Sequence, residues 1–388
     1  MSGRPCDGCA RFRGFAGLAL LFLVWGAIGQ PALGNEPIRI GVVGALTGPK
    51  SVYGEAHLQG IKIAVEVVNR EGGIDGRPIE IIAVDDRGNS ANVGALVVDL
   101  IYQKRVVAII GSVDSACTHV ISMVCVKAQV PHLTCVATDP SLTRAGSPWT
   151  FRTLADDERQ TEAIASYIHQ ARRLKRICLL AADSRYGKMG ALMLAARLRR
   201  LGIQVTGPLW IKESAAEALP LLRRELAAAL ASAPEAIVVW SLAAQGTTAL
   251  QALNESSYRG LIMGGDGLAT PAFYTASAAL LEGLIVTSPY NESEENTPNQ
   301  SFRRMYQERY SKNPDSFAAH AYDTIGFVIE ALRKSDGSRE SLRQELARGQ
   351  TFVGATGNLQ LDQTGNDIRS VRLAVVRNGK LVLLEERP

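Results

Sequence analysis

Three loops carry residue types suited to holding a small polar solute. Val52-Tyr53-Gly54, residues 112–117 and Ala137-Thr138-Asp139-Pro140 each follow an apolar, β-branched run. Loops leaving the carboxyl ends of parallel strands are where open α/β sheets bind ligands. The second and third loops open helical patterns, with Ser115, or with Thr138 and Asp139, near the start. Exposed backbone N–H groups and hydroxyls there form an anion cradle suited to a carboxylate. The same residue types cap helices that bind nothing, so each loop alone also reads as a plain cap. Asp114 stands directly beside Ser115. As a helix cap it turns away from the cradle; otherwise its charge would repel a carboxylate and point to a cationic or neutral amide ligand.

Other chemistries lack their residues. There is no G-x-S-x-G elbow and no G-x-x-x-x-G-K-[ST] phosphate loop, and Gly41, Gly44 and Gly48 miss the G-x-G-x-x-G spacing of a dinucleotide site. Asp85-Asp86 resembles an acid–base pair, but neighbours on a strand point to opposite faces, which favours loop hydrogen bonding. The five histidines are scattered, and C-x-x-C occurs only as Cys6 and Cys9 near the start, so neither a metal nor a cofactor is expected. Cys117 and Cys125 fall on one helix, about 12 Å apart along its axis, too far for a bridge. With Cys135 and Cys178 they read as buried free thiols. The chain is expected not to be an enzyme.

A cradle of this kind needs a frame of parallel strands. Residues 38–43 form a β-branched run, and Leu58, Ile61, Val65 and Val68 then recur at helical spacing until Gly72-Gly73. Strands at 79–84, 106–110 and 132–136 alternate with helices around 93–101 and 115–128. The rhythm restarts with a helix at 158–172, then strand 176–181, helix 188–201, strand 203–211, helix 215–232, strand 236–240, helix 244–256 and strand 261–263. Strict alternation of this kind predicts parallel, doubly wound sheets, and two series predict two α/β lobes. Asn378-Gly379 between 371–376 and 381–384 predicts a closing β-hairpin.

With 388 residues the chain has length for about two domains. Basic and acidic residues nearly balance, 42 against 38, without runs of like charge, and aromatics make up 6%. Nucleic-acid binding is not expected. Arg4, Arg11 and Arg13, an apolar stretch from 15 to about 28, and Ala32-Leu33-Gly34 form the three parts of a secretory signal peptide. Residues 1–34 are expected to be removed after Gly34, since the apolar stretch is short of the roughly 20 residues that span a bilayer.

From residue 38 to about 168 the chain resembles the branched-chain amino-acid-binding family of periplasmic solute-binding proteins, which serves ABC importers. The likeness rests on Ile40-Gly41-Val42-Val43-Gly44-Ala45-Leu46-Thr47-Gly48-Pro49, Tyr53-Gly54, Asn69-Arg70-Glu71-Gly72-Gly73-Ile74-Asp75-Gly76 and Phe151-Arg152-Thr153. Later landmarks are Tyr186-Gly187, Gly264-Gly265-Asp266-Gly267 and Ala321-Tyr322-Asp323. The resemblance implies a type I periplasmic clamshell whose lobes are joined by three hinge strands near 153–156, 286–289 and 353–356. Its N-terminal lobe would comprise 35–154 plus 288–354, and its C-terminal lobe 155–287 plus 355–388. Ser115 and Thr138 would hold an α-carboxylate, the Ala137 carbonyl and Asp266 the ammonium, and Tyr53 and Tyr186 would line the cleft. The implied solute is an amino acid or a related carboxylate or amide, handed in the periplasm to the permease of an ABC transporter. A sensory receptor of the same fold is the alternative. One departure is Leu242-Ala243-Ala244 after Trp240, where relatives often carry an aromatic hydroxyl. Arg185 could recruit a second anionic group or remain a solvated surface residue.

Overall fold

The computed structural model describes residues 36–144, 146–274, 281–288 and 290–384. The expected signal peptide, 1–34, lies outside the described residues. A five-stranded sheet is built from β1 (Ile38–Gly44), β2 (Ile79–Asp85), β3 (Ala108–Ile110), β4 (His132–Thr134) and β5 (Thr150–Arg152). All its pairings are parallel and its order is β2-β1-β3-β4-β5. Its central strands are buried on both faces, which is why they read as continuous apolar runs. Helices α1 (Ser51–Arg70), α2 (Val93–Tyr102) and α3 (Ser115–Ala128) make the crossovers, and α4 (Ser141–Arg144) is a short turn before β5.

The second sheet starts after α5 (Asp157–Ser166), whose last turn widens into a π-helix at Tyr167–Ala171. Its parallel part comes from β6 (Arg176–Ala182), β7 (Gln204–Ile211), β8 (Ala236–Trp240), β9 (Leu261–Gly264) and β10 (Ile285–Ser288). Between these run α6 (Arg185–Arg200), α7 (Ala215–Leu230), α8 (Ala243–Glu255) and the short α9 (Pro271–Tyr274). Helices α10 (Thr297–Tyr310), α11 (Ser316–Lys334) and α12 (Arg339–Ala347) then return to the first sheet, followed by a small hairpin, β11 (Phe352–Gly354) and β12 (Gly357–Leu359). Finally β13 (Arg372–Arg377) and β14 (Lys380–Leu383) add an antiparallel edge, giving β14-β13-β10-β9-β8-β6-β7. The turn at Asn378 and Gly379 has positive φ at both positions, as the Asn-Gly pair leads one to expect.

Two features differ from the sequence reading. Tyr53 and Gly54 belong to the first turn of α1 instead of a loop, because that helix already begins at Ser51. Ala355, Leu359 and Leu361 pack in the core of the first sheet, and Arg152 N–H donates to Gly365 O at 2.7 Å. Chain after residue 354 therefore stays with the first sheet until about Asp367, some way past the boundary expected at 354/355. The four thiols, Cys117, Cys125, Cys135 and Cys178, are free and buried as expected. Among the described residues no helix is long and apolar enough to cross a membrane.

Candidate functional site

In a sheet of order 2-1-3-4-5 the winding reverses between β1 and β3, and in the second sheet the same reversal lies between β6 and β8. Both reversals open onto one cleft. Loops after β1 and β3 bring Lys50, Val113, Asp114 and Ser115 to it, and those after β6 and β8 bring Ser184, Tyr186, Leu242 and Gln245. Val136, Asp266, Gly267 and Phe317 complete the floor, and Glu213 stands on the rim. The space between these residues is about 480 Å³, open solvent included.

On the first wall, Asp114 caps α3 by accepting from the N–H groups of Ala116 at 2.9 Å and Cys117 at 3.1 Å. The carboxylate is thus the cap that the sequence suggested, and it also pairs with Lys50 Nζ at 2.5 Å. Burial disfavours the Lys50 charge, but Asp114 beside it outweighs this and holds its pKa above the ordinary value. Two amide donors of the helix start are therefore engaged by the protein's own carboxylate, and Ser115 remains as the cradle's hydroxyl. Asp85 accepts from Leu46 N–H at 2.8 Å and Asp86 from Gly88 N–H at 2.7 Å and the Ser112 hydroxyl. They tie loops together, as expected.

Ala137 and Thr138 follow Val136 into full burial, 2% and 1% exposed. The Ala137 N–H donates to Thr134 Oγ1 at 3.2 Å, and the Thr138 hydroxyl finds no hydrogen-bond partner among the described residues. Asp157 N–H donates to Thr138 O at 2.9 Å, which sets the start of α5 against this loop. Asp156 caps α5 through Arg159 N–H at 3.0 Å, leaving Asp157 without a capping role. Its carboxylate is completely buried and neither oxygen has a partner among the described residues. Burial drives the Asp157 pKa well above the carboxylate range, and Asp266 nearby adds to this. Sequence reasoning missed Asp157. The only signal was two adjacent acids at a helix start, where one cap suffices.

Asp266 stands near Asp157 on the second wall. Its Oδ1 accepts from the Tyr186 hydroxyl at 2.8 Å, and its N–H donates to Gln160 Oε1 at 3.2 Å. Gln160 Nε2 has no partner among the described residues. Burial pushes the Asp266 pKa up to about 6, against the bond from the Tyr186 hydroxyl. Gly265 and Gly267 allow the tight approach: a Cβ on Gly265 would lie 2.7 Å from the Tyr186 hydroxyl, and one on Gly267 2.6 Å from Ser241 O.

Tyr53 differs from its expected part. Its hydroxyl donates to Gly267 O at 2.7 Å and accepts from Ala243 N–H at 2.8 Å, while its ring meets Phe317 edge-on at 5.0 Å. The group is spent on joining the two walls. Arg185 likewise neither lies free on the surface nor offers its charge to the cleft. Its Nε donates to Asp139 Oδ2 at 2.5 Å across the same junction. His119 and Ser141 complete the set around Asp139, and these partners hold its pKa well below the ordinary value in spite of burial.

Comparison with known proteins agrees with this geometry. A family model described as periplasmic binding protein matches residues 37–380. Leu/Ile/Val-binding protein homolog 3 of Brucella melitensis biotype 1 is 25% identical over 364 residues, 92% of this chain and 96% of that protein. The crystal structure of leucine-binding protein LivK from Thermotoga maritima superposes with a TM-score of 0.83 at 25% identity, covering 90% of this chain and 98% of the other. A solute-binding protein of an ABC transporter from R. palustris, solved with benzoate, reaches a TM-score of 0.80 at 20% identity, covering 90% and 95%, and shares the fold.

Proposed function

The chain belongs to the periplasmic binding protein family, and from that premise we propose that it is the solute receptor of an ABC importer, closing on an amino acid. The observation that carries the ligand class is the facing set of buried polar atoms: Thr138 Oγ1 and Ser115 on one wall, Asp157 and Asp266 with Gln160 Nε2 on the other. Hydroxyls suit a carboxylate, and carboxylates without a cation suit an ammonium. The α-carboxylate goes to Ser115 and Thr138, the α-ammonium to Asp266 and Asp157, with the Ala137 carbonyl beside it. Tyr186 orients Asp266 and lines the cleft.

The moving bodies are two lobes, 37–154 with 290–367 and 155–288 with 372–384, joined at three passages. Closure brings the walls together, and the closed form docks on the membrane permease. Export by residues 1–34 places the receptor in the periplasm. The Leu/Ile/Val-binding names of its relatives support an amino acid as the class of solute.

Asp266→Asn tests the site. Truncating one partner of a desolvated charge pair costs about 2–5 kcal/mol, roughly 30-fold to several thousandfold in affinity. Calorimetric titration of an amino acid and of its deaminated analogue, each into wild type and Asp266→Asn, should show the loss for the amino acid only. Equal losses for both, or none for either, would refute the amino-acid reading.

A further inference from the structure

Charge around the cleft is unevenly matched. Lys50 is the one cation among the described lining residues, and it is already paired with Asp114 at 2.5 Å. Asp266 on the floor, Asp157 behind it and Glu213 on the rim have no ion pair among the described residues. An aliphatic amino acid brings one positive and one negative charge, so it leaves this acidic surplus in place. Val113 and Leu242 on the walls and Val136 and Phe317 on the floor give the cleft an apolar stretch of lining beside the polar Ser115, Ser184 and Gln245.

The cleft thus combines buried carboxylates, an apolar stretch of lining, and a carboxylate at the water's edge with no ion pair among the described residues. We propose that the solute is an amino acid with a basic side chain, whose methylenes lie along the apolar stretch and whose terminal cation reaches Glu213. The proposal rests on the reading of the cleft as an amino-acid site and adds its specificity. Long basic side chains pack their stems on apolar surface while keeping the charged head wet, which matches an exposed Glu213. Leu242, at the start of α8, extends the apolar lining. Lys50 limits the gain, because it lies near enough to Glu213 to sense its charge. The rim groups Lys50, Asp114 and Glu213 still sum to one net negative charge.

The test compares ornithine, lysine and arginine with norleucine and leucine by calorimetric titration into wild type and Glu213→Gln. Glu213 is exposed and outside the floor that holds the α-groups, so the variant keeps the fold and the inner site. At least one basic amino acid should bind wild type more tightly than norleucine and lose about three- to tenfold in Glu213→Gln, an exposed charge pair being modest. Norleucine should change less than twofold. Raising salt should weaken the basic ligand more than norleucine. Norleucine or leucine binding as tightly as every basic ligand overturns the proposal and leaves the amino-acid reading standing. Equal losses for basic and neutral ligands in Glu213→Gln also overturn it. No binding by any of the five overturns both.

Discussion

Tyr53→Phe separates a residue that touches the ligand from one that holds the walls together. The substitution keeps the ring, and with it the edge-on contact with Phe317 at 5.0 Å. It removes only the hydroxyl that donates to Gly267 O at 2.7 Å and accepts from Ala243 N–H at 2.8 Å. Tyr53 is 2% exposed, so in the closed form water does not replace the lost group. In an open form all three groups can reach water. The change therefore acts almost wholly on closure. Leaving a buried backbone donor and a buried acceptor unpaired costs about 1–3 kcal/mol each. Some relaxation brings the pair to about 2–4 kcal/mol, or roughly 30- to 1,000-fold in affinity at about 1.4 kcal/mol per tenfold. Because the hydroxyl is occupied by protein, the loss should be the same factor for every ligand that closes the cleft. Titration calorimetry with two chemically different ligands measures it, and small-angle scattering at saturation should still reach the closed radius. A loss that depends on ligand identity would mean that Tyr53 contacts the solute. Wild-type affinity for both ligands would mean that closure does not need this junction.

Two further outcomes follow from the same structure. Asp266 is raised from 3.8 to about 6, so the unliganded protein holds a proton there that the unfolded chain has lost by pH 5; its stability should fall as pH rises from about 4 through 6, while amino-acid affinity, which needs the carboxylate, should fall below about pH 6 by up to tenfold per unit. Thermal melts without ligand and titrations from pH 5 to 8 check the two opposite slopes, and parallel slopes would contradict them. Gly60→Ala puts a Cβ 2.1 Å from Ala318 O, where α1 packs on α11, and should cost about 1–3 kcal/mol and several degrees in melting temperature, an unchanged melt counting against so close a helix contact.

The parallel frame was legible because its strands are buried on both faces and so appear as unbroken β-branched runs. Strand 236–240 has the expected ends, and the hairpin at Asn378-Gly379 is marked by its turn residues. Where apolar residues are few, the pattern fails. Helix α10 carries few apolar residues, so it does not stand out at helical spacing, whereas α11 does, with Phe317, Ala321, Ile325, Val328 and Leu332 on one face. Helix α1 lacks a side-chain cap at Lys50, so its true start at Ser51, and with it the place of Tyr53, carried no signal. The third passage between sheets was misjudged because Gly354 and Gly357 mark a small hairpin beside the first core, and the crossing comes only after Asp367.

Asp157 and Tyr53 were hidden for a different reason: each is defined by partners far away in sequence. Asp157 meets the Thr138 loop and Asp266, and Tyr53 meets Gly267 and Ala243. In the proposed receptor, together they would make closure depend on a ligand. Tyr53 and the Arg185–Asp139 pair favour the closed form through protein contacts alone. Closing also takes Asp157 and Asp266 out of water with no cation between them, and desolvating a carboxylate without a counter-charge is expensive unless it takes up a proton. Latches and buried carboxylates therefore oppose each other. An ammonium entering between the carboxylates removes the opposing cost and leaves the latches in force. Differential affinity for the closed form is then greatest for a solute that brings positive charge, which is the condition for a ligand to shift such an equilibrium at all. A carboxylate ligand without an amino group would fill the Ser115 side of the cleft and leave the opposing charge unrelieved. In the proposed receptor the same two carboxylates would set both the selectivity of the cleft and the requirement that it be occupied before it shuts.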